Sequence, residues 1–442
     1  MKIHLLAFVI LGGLASACVG AETPVVPALK FEARTERASA TYKTGEDVSF
    51  LISLTRDGQP VDGPIRWILT KDGVAPRREG TGSLTAGKFI LRGRLDEPGF
   101  LQCRVTFQDH PEEDKSPGLV ALAGTAIDPL LIKPSLPVPD DFTAFWAAQK
   151  QKLALVPVNA RVTPVPTKEK GVEAFDVQAD SIGAPVSAYF AKPSNAQPKS
   201  LPAYLFVHGA GVISSTLSHA VNWSTKGALA MNLNAHGVPN GQPVAFYTDL
   251  LNGELKDYRY RGRDDRETCY FLGMFLRLVR AIDFLTAQPE WNGRDVIVYG
   301  HSQGGYQAFA AAGIDERVTF FAAGVPAGCD HTGSTVGRIN GWPKLVPNLP
   351  DGTPDPRVQQ TARYFDCVNF AAHTHAKAAI VSVGFIDWVC PPTSVYAAYN
   401  ALPIPKQIFD DIPTAHVVSP AATKIMEAAV LKALQSNFLT HQ

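Results

Sequence analysis

Between residues 31 and 107 apolar side chains recur at every second position. Val48, Phe50, Ile52 and Leu54 alternate with Ser49, Leu51, Ser53 and Thr55, and Asp57-Gly58 closes the run with a turn dipeptide. Ile65, Trp67 and Leu69 repeat the period before a second turn at Asp72-Gly73, and Phe89-Ile90-Leu91 and the segment 100–107 supply further strands. Short strands at this spacing, with no helical stretch between them, predict a small all-β sandwich of the immunoglobulin-like type over residues 22–110. Trp67 reads as a core residue on an inward strand face rather than as a sugar-stacking platform.

A different period follows. Pro111, Pro117, Pro129, Pro134, Pro137 and Pro139 crowd the next stretch, so residues 111–134 read as a linker. Beyond it, residues 135–442 alternate short apolar runs with helical patterns. Residues 141–155 read as helix; 175–178, 186–191, 203–207 and 228–233 read as strands, the last two apolar enough to be buried on both faces. Asp264 to Gln288 carries one apolar face through Phe271, Phe275, Leu278, Ile282 and Leu285, with an Asp264/Glu267 capping box and Pro289 as the stop. Strand 296–299, helix 303–312, strands 318–325 and 378–384, helix 394–402, strand 407–409 and helix 420–434 complete the pattern. The prediction is an α/β unit with a mostly parallel sheet covered on both faces.

Composition narrows the function classes. The 442 residues carry 41 basic and 41 acidic side chains, a formal charge of zero, which excludes a typical nucleic-acid binder. The start reads as a leader: Met1 to His4 is basic, Leu5 to Leu14 is apolar, and Val19-Gly20-Ala21 precedes a cleavage point, giving a signal peptide at 1–21 and a secreted or periplasmic product. Ala15-Ser16-Ala17 before Cys18 is the alternative, with Cys18 as the acylated residue of a lipoprotein. No later run reaches the length of a transmembrane helix. Cys103, Cys269, Cys329, Cys367 and Cys390 remain after the leader; odd in number and without C-x-x-C spacing, they read as buried thiols rather than as a disulfide framework or a zinc site.

The chemistry gathers where the alternation is sharpest. Gly300-His301-Ser302-Gln303-Gly304 lies between an apolar strand and a small-residue helix, the setting of a nucleophile elbow. A serine hydroxyl is a weak nucleophile at neutral pH and needs a histidine base oriented by a carboxylate. On such an elbow both partners follow the serine in the chain. His416 lies in a loop just before the last helix, and Asp387 follows the strand 378–384; the rivals are His331, His373, His375 and His441, with His373 and His375 in a predicted helix, and Asp410 and Asp411. For a developing oxyanion, the Gln303 amide and the Ala210 amide in His208-Gly209-Ala210-Gly211 are the candidate donors. No lysine with Ser or Thr follows that glycine-rich loop, so it does not read as a phosphate cradle.

At these residues the chain resembles a known family. Gly300 to Gly305, Val325-Pro326-Ala327-Gly328-Cys329-Asp330, Tyr364 to Ala371 and above all Ser382 to Pro392, with its Asp-x-x-Cys-Pro-Pro, are similar to the acetyl xylan esterases and cephalosporin-C deacetylases, carbohydrate esterase family 7. Asp141-Phe142 with Phe145-Trp146 resembles the helix that opens their catalytic domain, and the likeness covers about residues 135–438. The resemblance implies an α/β-hydrolase that removes acetyl groups from sugar hydroxyls, with Ser302, Asp387 and His416 as its triad. It implies an acetylated carbohydrate substrate, no cofactor and no metal. His208, Trp388 and Trp223 are candidates to line the sugar pocket, and Trp342 is a further one.

Three departures qualify the transfer. Ala210 stands where the family commonly has tyrosine, which keeps a backbone amide but changes pocket shape. The N-terminal β unit is an addition to the compact members, whose ring-like hexamer it could alter, so a homo-oligomer is expected without a defined size. Residues 232–240 replace a stretch that often carries Asp-x-Arg-Gly, so substrate contacts do not transfer there. The competing readings are a peptidase or feruloyl-type esterase on the same fold, and a catalytically inactive carbohydrate-binding protein.

Overall fold

Strand β3 (Val48–Arg56) buries Val48, Phe50, Ile52 and Leu54 on one face, as its period demands. It pairs antiparallel with β1 (Leu29–Thr35), with the short β4 (Gln59–Pro60) and with β7 (Lys88–Gly93), forming a four-stranded sheet. A five-stranded sheet runs in the order β2 (Thr41–Tyr42), β9 (Leu119–Ile127), β8 (Gly99–Phe107), β5 (Gly63–Lys71) and β6 (Val74–Leu84). The two sheets share one core, in which Phe50 and Ile52 meet Ile65, Leu69, Leu101, Cys103 and Val105. The computed structural model describes residues 29–107 and 118–435; the expected leader at 1–21, Cys18 and His441 lie outside them.

The expected linker is corrected by β9. Residues 119–127 pair with β8 along its whole length, from Phe107↔Leu119 to Gly99↔Ile127, and so belong to the β unit rather than to a connection. Without them β8 would be a long open edge with unpaired amides, which stable sheets avoid. The prolines on either side and the small residues Ala121, Ala123 and Gly124 hide the strand from a pattern search.

The larger unit contains a nine-stranded sheet in the order β10 (Arg161–Pro164), β11 (Val172–Ala179), β12 (Val186–Pro193), β14 (Leu229–Leu233), β13 (Leu201–Val207), β15 (Trp291–His301), β16 (Phe320–Gly324), β17 (Ala378–Gly384) and β18 (Lys406–Asp411). From β14 to β18 the strands are parallel, and β10 to β12 join antiparallel at one edge. Alternate residues of β13 serve opposite faces: Ala203, Leu205 and Val207 pack with α1 (Phe142–Ala154), α4 (Tyr270–Thr286) and α5 (Gln303–Ile314). Tyr204 packs instead with Trp223 of α2 (Leu217–Ser224) and Met426 and Val430 of α9 (Pro420–Gln435). Helices α3 (Val244–Asn252), α6 (Pro356–Ala362), α7 (Cys367–Ala372) and α8 (Pro392–Ala401) fill the connections.

Two helix boundaries differ from expectation. Helix α4 begins at Tyr270; Asp264 pairs with Arg357 at 3.0 Å and the Glu267 carboxylate accepts from Gln149 and Lys152 at 2.9 and 2.8 Å, so the expected Asp264/Glu267 capping box does not form. Helix α7 ends at Ala372, leaving His373 at its C-cap and His375 in the loop beyond. Among the described residues no helix is long and apolar enough to cross a membrane, and all five cysteines there are buried and free.

Candidate active site

Ser302 sits between β15 and α5 with φ 55° and ψ −118°, a backbone conformation that costs a non-glycine residue about 1–3 kcal/mol. The surroundings hold it there: its amide donates to Gly324 O at 2.8 Å, and its carbonyl accepts from Tyr306 and Ala327 amides, both at 3.0 Å. The turn needs its glycines because the backbone is crowded. A Cβ on Gly300 would fall 2.4 Å from the Gly304 carbonyl, and one on Gly304 would fall 2.1 Å from Val207 O. The result is a hydroxyl held at the C-terminal edge of the sheet, over the start of α5, whose first amides have no partner within the helix.

Asp387 and His416 arrive on loops after β17 and β18. The Asp387 carboxylate is 1% exposed; Oδ1 accepts from the Val389 and Cys390 amides at 2.8 and 2.9 Å. Its Oδ2 lies 2.8 Å from His416 Nδ1, and His416 Nε2 lies 2.9 Å from Ser302 Oγ. The two loops are tied to each other by the Ile386 amide, which donates to Thr414 O at 3.2 Å. With Nδ1–H donated to the carboxylate, Nε2 is left as the acceptor for the serine proton. Asp410, the rival acid, instead accepts from the Tyr396 hydroxyl at 2.7 Å.

The other sequence candidates divide. The loop after β13 reaches the serine: a Cβ on Gly209, the residue before Ala210, would lie 3.8 Å from Ser302 Cβ. His208 does not line a pocket with a free nitrogen. It is buried, its Nδ1 lies 2.7 Å from Gly209 O and its Nε2 accepts from the Ala235 amide at 3.0 Å, so it pins this loop to the one after β14; burial also lowers its pKa. Trp223 is corrected outright: it is 0% exposed and stacked on Tyr204 at 4.4 Å between ring centroids, on the face covered by α9. Trp342 is partly buried against Phe271. Trp388 is 49% exposed and faces the β unit.

Of the rival histidines, His331 is buried 3.2 Å from the Tyr306 hydroxyl, with its pKa lowered to about 3 by desolvation. His301, inside the elbow, lies 2.6 Å from the Tyr299 hydroxyl and is lowered to about 4 for the same reason. Residues that sequence reasoning passed over support the site from behind. The Tyr258 hydroxyl donates to Gln303 Oε1 at 2.5 Å. Asp366 accepts from the amides of Asp330, His331 and Val368, joining the two motif segments at 325–330 and 364–371; burial raises its pKa. An acidic residue before a helix carries a capping signal, but its long-range partners are invisible in sequence. Among the described residues, Asp387, Cys390 and His416 each offer a ligand atom within 4.8 Å of the others, although the carboxylate and imidazole are already bonded to each other.

Comparison with known proteins places these features in context. The acetyl xylan esterase (AXE1) family model matches residues 131–421. Acetyl esterase Axe7A of Xylanibacter ruminicola is 29% identical over 380 residues, 83% of this chain and 82% of the relative. An acetyl xylan esterase from Paenibacillus sp. R4 superposes with a TM-score of 0.60 at 26% identity, covering 69% of this chain and 98% of that one. Acetyl xylan esterase 1 from Thermoanaerobacterium sp. JW/SL YS485 gives 0.58 at 21% identity, covering 69% and 97%, a likeness of fold. The larger unit thus has the α/β-hydrolase fold.

Proposed function

The chain belongs to the acetyl xylan esterase family and is a carboxylic ester hydrolase, and from that premise we propose that it deacetylates xylan or xylo-oligosaccharides through Ser302, His416 and Asp387. The observation that carries this reading is the continuous relay from Ser302 Oγ through His416 to a buried Asp387, at 2.9 and 2.8 Å, on a strained elbow.

In the proposed reaction His416 Nε2 takes the Ser302 proton as Oγ bonds to the acetyl carbonyl carbon. The carbonyl electrons move to oxygen, where the Gln303 and Ala210 amides receive the charge. The tetrahedral species collapses, His416 returns the proton to the departing sugar oxygen, and Ser302 is left acetylated. Water then attacks with His416 as base, releasing acetate and restoring the serine. Asp387 stays ionised throughout and stabilises the imidazolium.

Processing of residues 1–21 and export belong to the same reading, with acylation at Cys18 as the alternative route to the membrane surface. We further read residues 29–107 together with 118–127 as an immunoglobulin-like sandwich preceding the hydrolase. Acetate release from acetylated xylan tests the function. Ser302→Ala is expected to lower it at least about 10³-fold and to abolish labelling by a fluorophosphonate. Full hydrolysis by that variant would remove the triad from consideration, and cleavage of amides or feruloyl esters in preference to acetyl esters would redirect the substrate.

A further inference from the structure

Only part of the outer face of the five-stranded sheet is covered by the hydrolase. Phe100 of β8 is buried against Phe385 and Tyr396, with ring centroids 5.0 and 5.5 Å apart, and its cross-strand partner Ala126 is buried too. Gln102, the next outward residue, donates to Phe385 O at 3.1 Å. One pair further along the cover stops: Arg104 is exposed, and Val120 beyond it is 38% exposed. The step between covered and open sheet is a groove of about 300 Å³, walled by Thr70, Arg77, Gln102 and Arg104 on the sheet side and by Ile386 and Trp388 on the hydrolase side.

This face carries a local charge excess in a chain whose formal charge is zero. Register and alternation put Arg66, Arg77 and Arg104 on it, with Glu79 as their one carboxylate neighbour on these strands. Glu79 lies 2.9 Å from Arg77 and 3.3 Å from Arg66, while Arg104 makes no ion pair among the described residues. A half-exposed indole faces the same space from the position next to Asp387.

We propose that this groove is a binding subsite for xylan chains that carry uronic-acid branches. The indole of Trp388 offers an apolar face to a main-chain pyranose ring. Arg104 and Arg77 take the branch carboxylate, for which a planar guanidinium fork is the fitting partner. Gln102 Oε1 and Thr70 Oγ1 accept from sugar hydroxyls. Trp388 and Asp387 are neighbours on one loop, so the groove adjoins the segment that carries the candidate acid. The assignment of xylan rests on the esterase reading; the recognition of an acidic saccharide rests on the groove alone.

The test is calorimetric titration of the full-length protein with a glucuronic-acid-substituted xylo-oligosaccharide that carries no acetyl group, beside its unsubstituted counterpart. The acidic oligosaccharide is expected to bind about tenfold more tightly, the order of one charge-assisted contact, with the advantage shrinking in salt. Arg77→Glu/Arg104→Glu erases the advantage, Arg104→Gln halves it or more, and Trp388→Ala weakens both ligands. Arg92→Glu, on the other sheet, retains the wild-type preference. Equal affinity for the two oligosaccharides, or an unchanged preference in the charge-reversed variant with a wild-type melting curve, overturns the proposal. Equally tight binding of polygalacturonate removes xylan as the ligand. Acetate release from a small acetyl ester by wild-type protein is read separately, so that failure of the esterase reading is told apart from failure of the subsite.

Discussion

Gln102 of β8 donates through Nε2 to the carbonyl oxygen of Phe385 at 3.1 Å, two residues before Asp387, whose carboxylate is bonded to His416. A strand of the N-terminal unit therefore braces the loop on which the candidate acid stands. Gly124 makes the bracing closer: a Cβ there would fall 2.4 Å from the same carbonyl. Gly124→Ala is accordingly expected to cost about 1–3 kcal/mol of stability and to lower kcat on acetyl esters several-fold by shifting the loop. Gln102→Ala should give a smaller loss in the same direction, near 1 kcal/mol. Thermal melts and steady-state kinetics on both variants check this, and an unaltered kcat in Gly124→Ala would show that the two units are only neighbours.

Asp387→Asn tests the orienting carboxylate while preserving shape. The amide oxygen can still accept from Val389 and Cys390, but the amide nitrogen facing His416 Nδ1 donates, so the imidazole must take the other tautomer and point a proton at Ser302. The expected fall in kcat is roughly 10³–10⁴-fold with little change in KM. A loss of less than tenfold would move the acid's role to another residue.

Tyr258→Phe removes the hydroxyl that bonds Gln303 Oε1 and leaves a buried amide oxygen without its partner. Because the Gln303 amide is a proposed oxyanion donor at the start of α5, the expected signature is a roughly three- to tenfold lower kcat with KM nearly unchanged. Wild-type kcat together with a raised KM would place Tyr258 in substrate binding instead.

Asp72 gives a pH dependence of stability. It sits in the turn between β5 and β6, accepts from the Thr393 hydroxyl at the start of α8, and burial raises its pKa from 3.8 to about 7. The folded state therefore keeps a proton that the unfolded chain gives up. Its contribution is fully present below about pH 3.8 and is lost as pH rises through about 7, up to about 4 kcal/mol in all. Relative to Asp72→Asn, the wild-type melting temperature is expected to fall between pH 4 and 7 and then level off. Parallel melting curves for the two proteins over that range would contradict a buried neutral carboxyl.

Much of this was legible because its physics is local. A period of two in residues 48–54, largely apolar runs at 203–207 and 228–233, and the Gly-x-Ser-x-Gly turn each specify an element through residues close in the chain. The order serine, aspartate, histidine then named three side chains that are joined by two hydrogen bonds through His416. Strand β9 was not legible, because its small residues are set by what they pack against; Gly124 is glycine because Phe385 is there. Trp223 looked like a pocket residue for the same reason in reverse, since which face of the sheet a tryptophan joins depends on helix α9, two hundred residues later. The sequence by itself determined most of the elements and the candidate nucleophile with its two candidate partners. The tertiary structure decided which histidines are spent on loops, which tryptophan is exposed, and that the N-terminal sheet lies against the acid loop, because those outcomes depend on contacts between segments far apart in the chain.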